Sequence, residues 1–342
     1  QQAVSLRKVY EDTEESELEV QAAKRHLSWL IGCAFGRWQD QVQSVQSDDI
    51  YAELPEQPPA FNRASSKNAL EQTGVADLDS SNSLIQALYA IADPDLSEKC
   101  LALVGANNWE NYLNRTSQFF SAHYDQYSQN RRYTPIYWPL QSASGSYTLW
   151  VYYHRLNKQT LYTCVNDFLD GPTGKLTQVE QDLNTLKNLG TRSTQEEKDL
   201  TQLTDFAAEL KDFRDELLRL AKFWKPNLND GVQITAAPLW KLFQHNAWQK
   251  KLKETWEKLE EGDYDWAHLA CSIWPERVLR KCHQDRSLAI AHDVEDIFWH
   301  KVEVPVKRGK KITGEMKTEW QPKSLTAAEL TELINQTITN LK

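Results

Sequence analysis

The chain has 342 residues, 40% of them hydrophobic and 25% charged, a balance that gives a globular core large enough to need neither metal nor disulfide. Its net charge of -9 excludes a domain that holds nucleic acid by bulk charge, so any DNA contact has to come from local basic patches. No run approaches the roughly 20 apolar residues of a membrane helix, and the polar, acidic stretch Tyr10-Glu-Asp-Thr-Glu-Glu15 is not a signal sequence.

In chain order, residues 1–130 read as a helical region holding an extended connector. Leu18, Ala22, Leu27, Leu30, Ile31 and Ala34 recur at helical steps up to a break at Gly36-Arg37-Trp38. Residues 39–83 are rich in Ser, Asp, Pro and Asn, which predicts an extended connector. Helical spacing resumes over 84–127, interrupted at Asp93-Pro94 and Gly105. Residues 131–174 change character: two β-branched and aromatic runs, 135–140 and 147–153, flank a Ser/Gly turn and predict a β-hairpin. Pro139 inside the first run points to an edge or short strand.

The spacing over 175–224 predicts an antiparallel coiled-coil hairpin. Leu176, Val179, Leu183 and Leu186 form one seam; Leu203, Phe206, Leu210, Phe213, Leu217 and Leu220 form the other. A turn near Gly190 joins them, and Ser193 or Thr194 caps the second helix. Such a narrow seam suits an arm or spacer. Residues 225–342 read as a Trp-rich helical region in which Trp240, Trp248, Trp256, Trp266 and Trp274 share one core. It includes a basic hairpin near 302–313, with Lys307-Arg-Gly-Lys-Lys311 at its loop, and a final helix capped by Ser324. The fold class expected is mainly α (α+β), a helical domain with a β-hairpin or small sheet and the coiled-coil arm.

The chemistry of a site is harder to find. No Gly-x-Gly cofactor turn occurs, and the one Pro-Pro, Pro58-Pro59, lacks the Asn or Asp and the aromatic that an amino-methyltransferase places on a flipped adenine. Cys33, Cys100, Cys164, Cys271 and Cys282 form no Cys-x-x-Cys pair, which fits a reducing cytoplasm better than a zinc site or disulfides. Asp263, Asp265, His268 and Glu276, and likewise His283, Asp285, His292 and Asp296, read as satisfied helix residues sooner than as a hydrolytic or metal site. No catalytic, cofactor or metal residues are therefore assigned. The candidate DNA-binding residues are Arg131, Arg132, Tyr133, Tyr137, Trp138, His154, Arg155 and Lys158 around the first hairpin, and Lys307, Arg308, Lys310 and Lys311 at the second. The cations can neutralise phosphates and the aromatics can stack on bases. The plainer reading of the first hairpin makes its aromatics core.

Several words stand in a familiar order. They are Ile31-Gly-Cys-Ala-Phe-Gly-Arg-Trp38, Pro135-Ile-Tyr-Trp138, Val151-Tyr-Tyr-His-Arg155, Ala237-Pro-Leu-Trp240, Asp263-Tyr-Asp-Trp-Ala-His-Leu269, Trp274-Pro-Glu-Arg-Val278 and Asp285-Arg-Ser-Leu-Ala-Ile-Ala-His292. Together, over about half the chain, they resemble the C-terminal, post-catalytic region of adenine-specific DNA methyltransferases of the BREX and DISARM phage-defence and type IIG restriction-modification kind. The resemblance implies a parent enzyme that uses S-adenosylmethionine in a catalytic part outside this sequence, and it assigns no role to any residue here. The start at Gln1 without a Met fits a piece of a longer protein. The partners implied are double-stranded DNA, the catalytic methyltransferase domain or subunit and other defence-system proteins, with no membrane. Two readings follow: a DNA-recognition and spacer region, favoured by the basic segments, or a module docking other defence subunits, favoured by the acidic surface and the arm.

Overall fold

A computed structural model describes residues 2–37, 69–80, 83–114, 118–129, 132–308 and 311–340, without the side chains of 2–15, 69, 71, 129, 306–308 and 311–315. The chain is mainly helical with small antiparallel sheets. It divides into two compact units, Gln1–Lys222 with Leu239–Lys251, and Phe223–Pro238 with Leu252–Lys342.

The first unit begins with α1 (Gln2–Ala34), which buries Leu27, Leu30, Ile31 and Ala34 along one stripe. The helix stops where Gly36 adopts φ 69°, a left-handed turn that costs a residue without a Cβ little. Most of the expected connector, residues 39–68, lies outside the described residues, but its end is structured. There α2 (Ala69–Thr73) passes through Gly74 into β1 (Val75–Ala76). Then come α3 (Leu84–Ile91), α4 (Pro94–Leu103), α5 (Trp109–Leu113) and α6 (Gln118–Gln126). Polar caps start the first three: Ser83 accepts from the Gln86 amide, Asp93 from Leu96 and Asn108 from Asn111. α3, α4 and α6 pack against α1.

Next are the short strands β2 (Ser128–Gln129) and β3 (Arg132–Tyr133), which pair together, then β4 (Tyr137–Gln141) and β5 (Thr148–Tyr152). The expected hairpin forms and gains a third strand, β1, from within the expected connector, giving the antiparallel order β1-β5-β4. Pro139 sits on the edge strand β4 opposite Trp150, where its missing N–H costs no ladder bond. Every residue of β4 and β5 is buried. The Trp150 ring lies 5.4 Å from Phe119, and Tyr137 stacks on Phe35 at 5.4 Å. His123 is buried among them, its Nε2 accepting the Ile136 amide at 2.9 Å.

After α7 (Thr160–Phe168), helices α8 (Lys175–Lys187) and α9 (Thr194–Ala221) form the antiparallel hairpin. Ser193 caps α9 in a reciprocal box with Glu196. The inner half of α9 does more than an arm would. Leu210, Phe213, Leu217 and Leu220 are buried, α7 packs on the same helix, and Phe213 meets Tyr147 edge-on at 6.3 Å. Only the outer half, with Leu186, Leu203 and Phe206 half-buried, has the character of an arm.

The second unit contains α10 (Val232–Ala236), most of α11 (Asn246–Glu261), α12 (His268–Ile273), α13 (Pro275–Cys282), α14 (Arg286–Ala291) and α15 (Glu295–Phe298). A long hairpin, β6 (Trp299–Arg308) with β7 (Lys311–Pro322), and α16 (Ala327–Asn340) complete it. The tryptophans do not share one core as expected. Trp248 is buried in the first unit beside Phe243 and Tyr124. In the second unit Trp256 pairs with Trp274 at 5.5 Å, and Trp266 is 47% exposed. The cap of α16 is Thr326, not Ser324: its Oγ1 accepts the Glu329 amide at 3.3 Å and its own amide donates to Glu329 Oε2 at 2.7 Å.

Candidate nucleic-acid interface

The first hairpin's aromatics face inward. Tyr137 is 1% exposed and Trp138 is fully buried, which corrects their candidacy: a ring packed into the core cannot stack on a base. Trp138 is further fixed by its Nε1–H donating to the Pro135 carbonyl at 2.7 Å. Tyr133 is half-buried and stacked on Tyr124 at 5.5 Å, with Lys251 Nζ 5.6 Å from its ring centroid, so the ring already has neighbours. What remains for solvent at this end is Arg132, His154, Arg155 and Lys158, all exposed. Although the residue as a whole is exposed, the His154 ring sits edge-on to Tyr152 and Tyr153, and this partial desolvation, with the nearby Arg37 charge, lowers its pKa and favours the neutral ring. Arg155 is held close to Gly74, whose φ is 67°; a Cβ there would come within 2.4 Å of the Arg155 Cβ. Arg131 lies outside the described residues.

The second hairpin is the opposite case. β6 and β7 pair from Trp299↔Pro322 at the base to Arg308↔Lys311 at the tip, with a register shift between Pro305 and Lys307. Alternating Val302, Val304 and their partners make a ribbon longer than the 302–313 read from the sequence. At about 3.3 Å per residue it reaches about 30 Å. None of its residues with described side chains is buried, and Met316 is 56% exposed. Lys307, Arg308 and Lys311 take backbone positions in the outer strands, whereas Lys310 lies outside the described residues.

The base is firmly tied. Trp299 Nε1–H donates to the Cys282 carbonyl at 2.8 Å, and the Lys323 amide donates to the Phe298 carbonyl at 2.9 Å. Trp320 holds two cations over its ring: the Arg286 guanidinium at 4.8 Å and Lys301 Nζ at 5.1 Å. Arg286 is itself fixed by Glu295 at 2.6 Å. Sequence reasoning missed Arg286, Lys301, Lys317 and Trp320; the β-branched alternation on either side of the basic loop was the signal available. Over residues 299–322 six Lys and Arg face three Glu, a net of +3 in a chain of net -9. The major groove of duplex DNA is wide enough to admit a two-stranded ribbon.

No protein-family model matches the chain, and no curated protein matches its sequence.

The remaining polar cluster lies at α12 and is structural. Asp230, buried, accepts the amides of His268 at 2.8 Å and Leu269 at 2.7 Å, and lies 3.0 Å from His268 Nδ1. Thus His268 pairs with a carboxylate 38 residues upstream, not with Asp265. Asp265 is buried between Arg277 and Lys281, each at 2.6 Å, and its carbonyl meets His292 Nε2 at 2.6 Å. Arg277 also donates to the Leu259 and Glu260 carbonyls and covers the Trp274 ring at 4.4 Å. Among the described residues no cluster of His, Cys, Asp and Glu has the geometry to hold a metal. No helix among them is long and apolar enough to cross a membrane.

Proposed function

We propose that this chain is the non-catalytic DNA-recognition and spacer region of an S-adenosylmethionine-dependent, adenine-specific DNA methyltransferase of the anti-phage kind. In this reading the β6–β7 ribbon is the DNA contact. The observation that carries it is an exposed ribbon, anchored at its base through Trp299 and Trp320, whose outer strands carry Lys307, Arg308 and Lys311. The resemblance of the sequence words to the post-catalytic region of those enzymes supports the parent activity. The aromatic hairpin β4–β5 is then scaffold, and S-adenosylmethionine belongs to the catalytic part of the parent protein.

The ribbon's own balance is positive, six Lys and Arg against three Glu. At physiological salt the screening length is about 8 Å, so carboxylates farther away than that are muted. The test is fluorescence anisotropy of the full chain with a short labelled duplex at rising salt. Binding at about 50 mM salt that weakens steeply toward about 200 mM supports the reading, because each phosphate neutralised contributes about 0.9 to the slope of log affinity against log salt. No binding at the lowest salt would overturn it.

A further inference from the structure

The outer half of the α8–α9 hairpin leaves part of its seam uncovered. A two-helix seam closes on one side only; burying both sides takes a third helix. Closer to the core that cover comes from the rest of the unit, and Leu176, Val179, Leu183 and Leu210 are buried. Further out, Leu186, Leu203 and Phe206 are half-buried and floor a groove of about 780 Å³. Its rim carries Asp182, Asp199, Asp205 and Glu209, with one cation, Lys175, which is held by Asp79.

Three cations of this arm are engaged elsewhere: Lys175 with Asp79 at 2.7 Å, Arg192 with Glu197 at 2.6 Å and Lys211 with Glu180 at 2.7 Å. Among the described residues no cation lies within ion-pair distance of the three rim aspartates. An apolar floor under unneutralised carboxylates selects an apolar stripe flanked by Lys or Arg. It rejects DNA, whose phosphates would meet the aspartates. It also disfavours a second copy of the same acidic arm, by like-charge repulsion.

We propose that this groove docks one cationic amphipathic helix of a protein partner, laid along α8 and α9 to complete a three-helix bundle. The stretch of α9 from residue 199 to 209 spans about 15 Å, or about three turns of the partner helix. Apolar residues at three- and four-residue steps enter between Leu203 and Leu186, and flanking Lys or Arg side chains reach the rim. The proposal stands apart from the DNA reading, since it uses a different unit of the chain and the opposite charge.

The probe is a labelled synthetic helix patterned with Leu and Lys, compared with a Leu and Glu helix of the same spacing, both titrated with the full chain. The expected result is binding of the Lys peptide alone. The triple variant Asp182→Asn, Asp199→Asn, Asp205→Asn should weaken it about tenfold, the sum of three exposed ion pairs, with unchanged far-ultraviolet circular dichroism. Leu203→Gln should weaken it too. A control of equal net charge, Glu257→Gln, Glu260→Gln, Glu261→Gln, should stay within about twofold, since screening confines the effect to nearby charges. Equal losses in the two triples, equal binding of both peptides, no binding of the Lys peptide, or self-association of the chain abolished by Leu203→Gln would each overturn the proposal.

Discussion

The two long antiparallel hairpins of this chain are built from similar materials and end in opposite environments. β4–β5 carries Tyr137, Trp138, Trp150 and Tyr152, and every residue of both strands is buried. β6–β7 carries Trp299, Trp320 and β-branched residues as well, yet no residue with a described side chain is buried. The difference lies in what each hairpin meets. Helices α1 and α6 bring Phe35, Phe119 and Phe120 against the first, which becomes a core layer. The second touches the rest of its unit at its base, through Trp299, Trp320 and Lys323. Aromatic content therefore marks core in one hairpin and an anchor in the other.

Substitutions can break this comparison. Trp150→Ala should cost about 3–5 kcal/mol, the range for emptying a packed aromatic site, read as a drop in the urea midpoint. Trp320→Ala should cost about 1 kcal/mol, since it removes two partly exposed cation–π contacts and little core. Equal losses would erase the distinction between core hairpin and exposed ribbon. Leu210→Asp on α9 should rank beside Trp150→Ala, at a few kcal/mol, because it buries an unpaired charge. Leu203→Asp, half-exposed further along the same seam, should cost clearly less.

A backbone substitution follows in size. Gly74 holds φ 67° and its carbonyl accepts the Tyr152 amide at 2.8 Å, tying β1 to the first hairpin. Gly74→Ala should cost about 2 kcal/mol, from the left-handed backbone and from the collision with Arg155. Thermal denaturation measures this directly, and an unchanged melting temperature would mean that the close approach is not tight.

The buried His123 then gives the packing against the first hairpin a pH dependence. Burial, with the Arg37 charge adding to it, holds its pKa down to about 3, against 6.5 for an ordinary imidazole. The unfolded chain takes up a proton that the folded one refuses, so the stabilising difference is complete above the ordinary value and is lost as pH falls below it toward the folded value. The slope reaches about 1.4 kcal/mol per pH unit. Urea midpoints measured downward from neutral pH should fall, and fall less in His123→Gln. A midpoint independent of pH across this range would contradict the buried neutral ring.

Much of the fold was legible because the signals were periodic or local. The steps of Leu176 to Leu186 and Leu203 to Leu220 gave both helices of the arm, and Ser193 with Glu196 gave the cap. Pro139 gave the edge strand. The rest depended on contacts remote in sequence. β1 is two residues long, too short for any pattern, and becomes a strand only by pairing with β5. Tyr137 and Trp138 read more plainly as core than as stacking residues, and Phe35, Phe119 and Tyr153 packed against them decide it. Asp230 and His268 meet across 38 residues. The tryptophans from 240 to 274 looked like one set, yet the division between units falls within α11 and separates Trp248 from Trp256.

The central claim, that the ribbon and not the aromatic hairpin meets DNA, is tested most directly by two paired variants of the full chain. One carries Lys307→Ala with Lys311→Ala, the other Arg132→Ala with Lys158→Ala. Affinity for a duplex is measured for each across a salt series. The ribbon pair should weaken binding and lower the slope of log affinity against log salt by about 1.8, two phosphate contacts at about 0.9 each, while the other pair leaves both unchanged. A slope lost in the Arg132 and Lys158 pair and kept in the ribbon pair would contradict it.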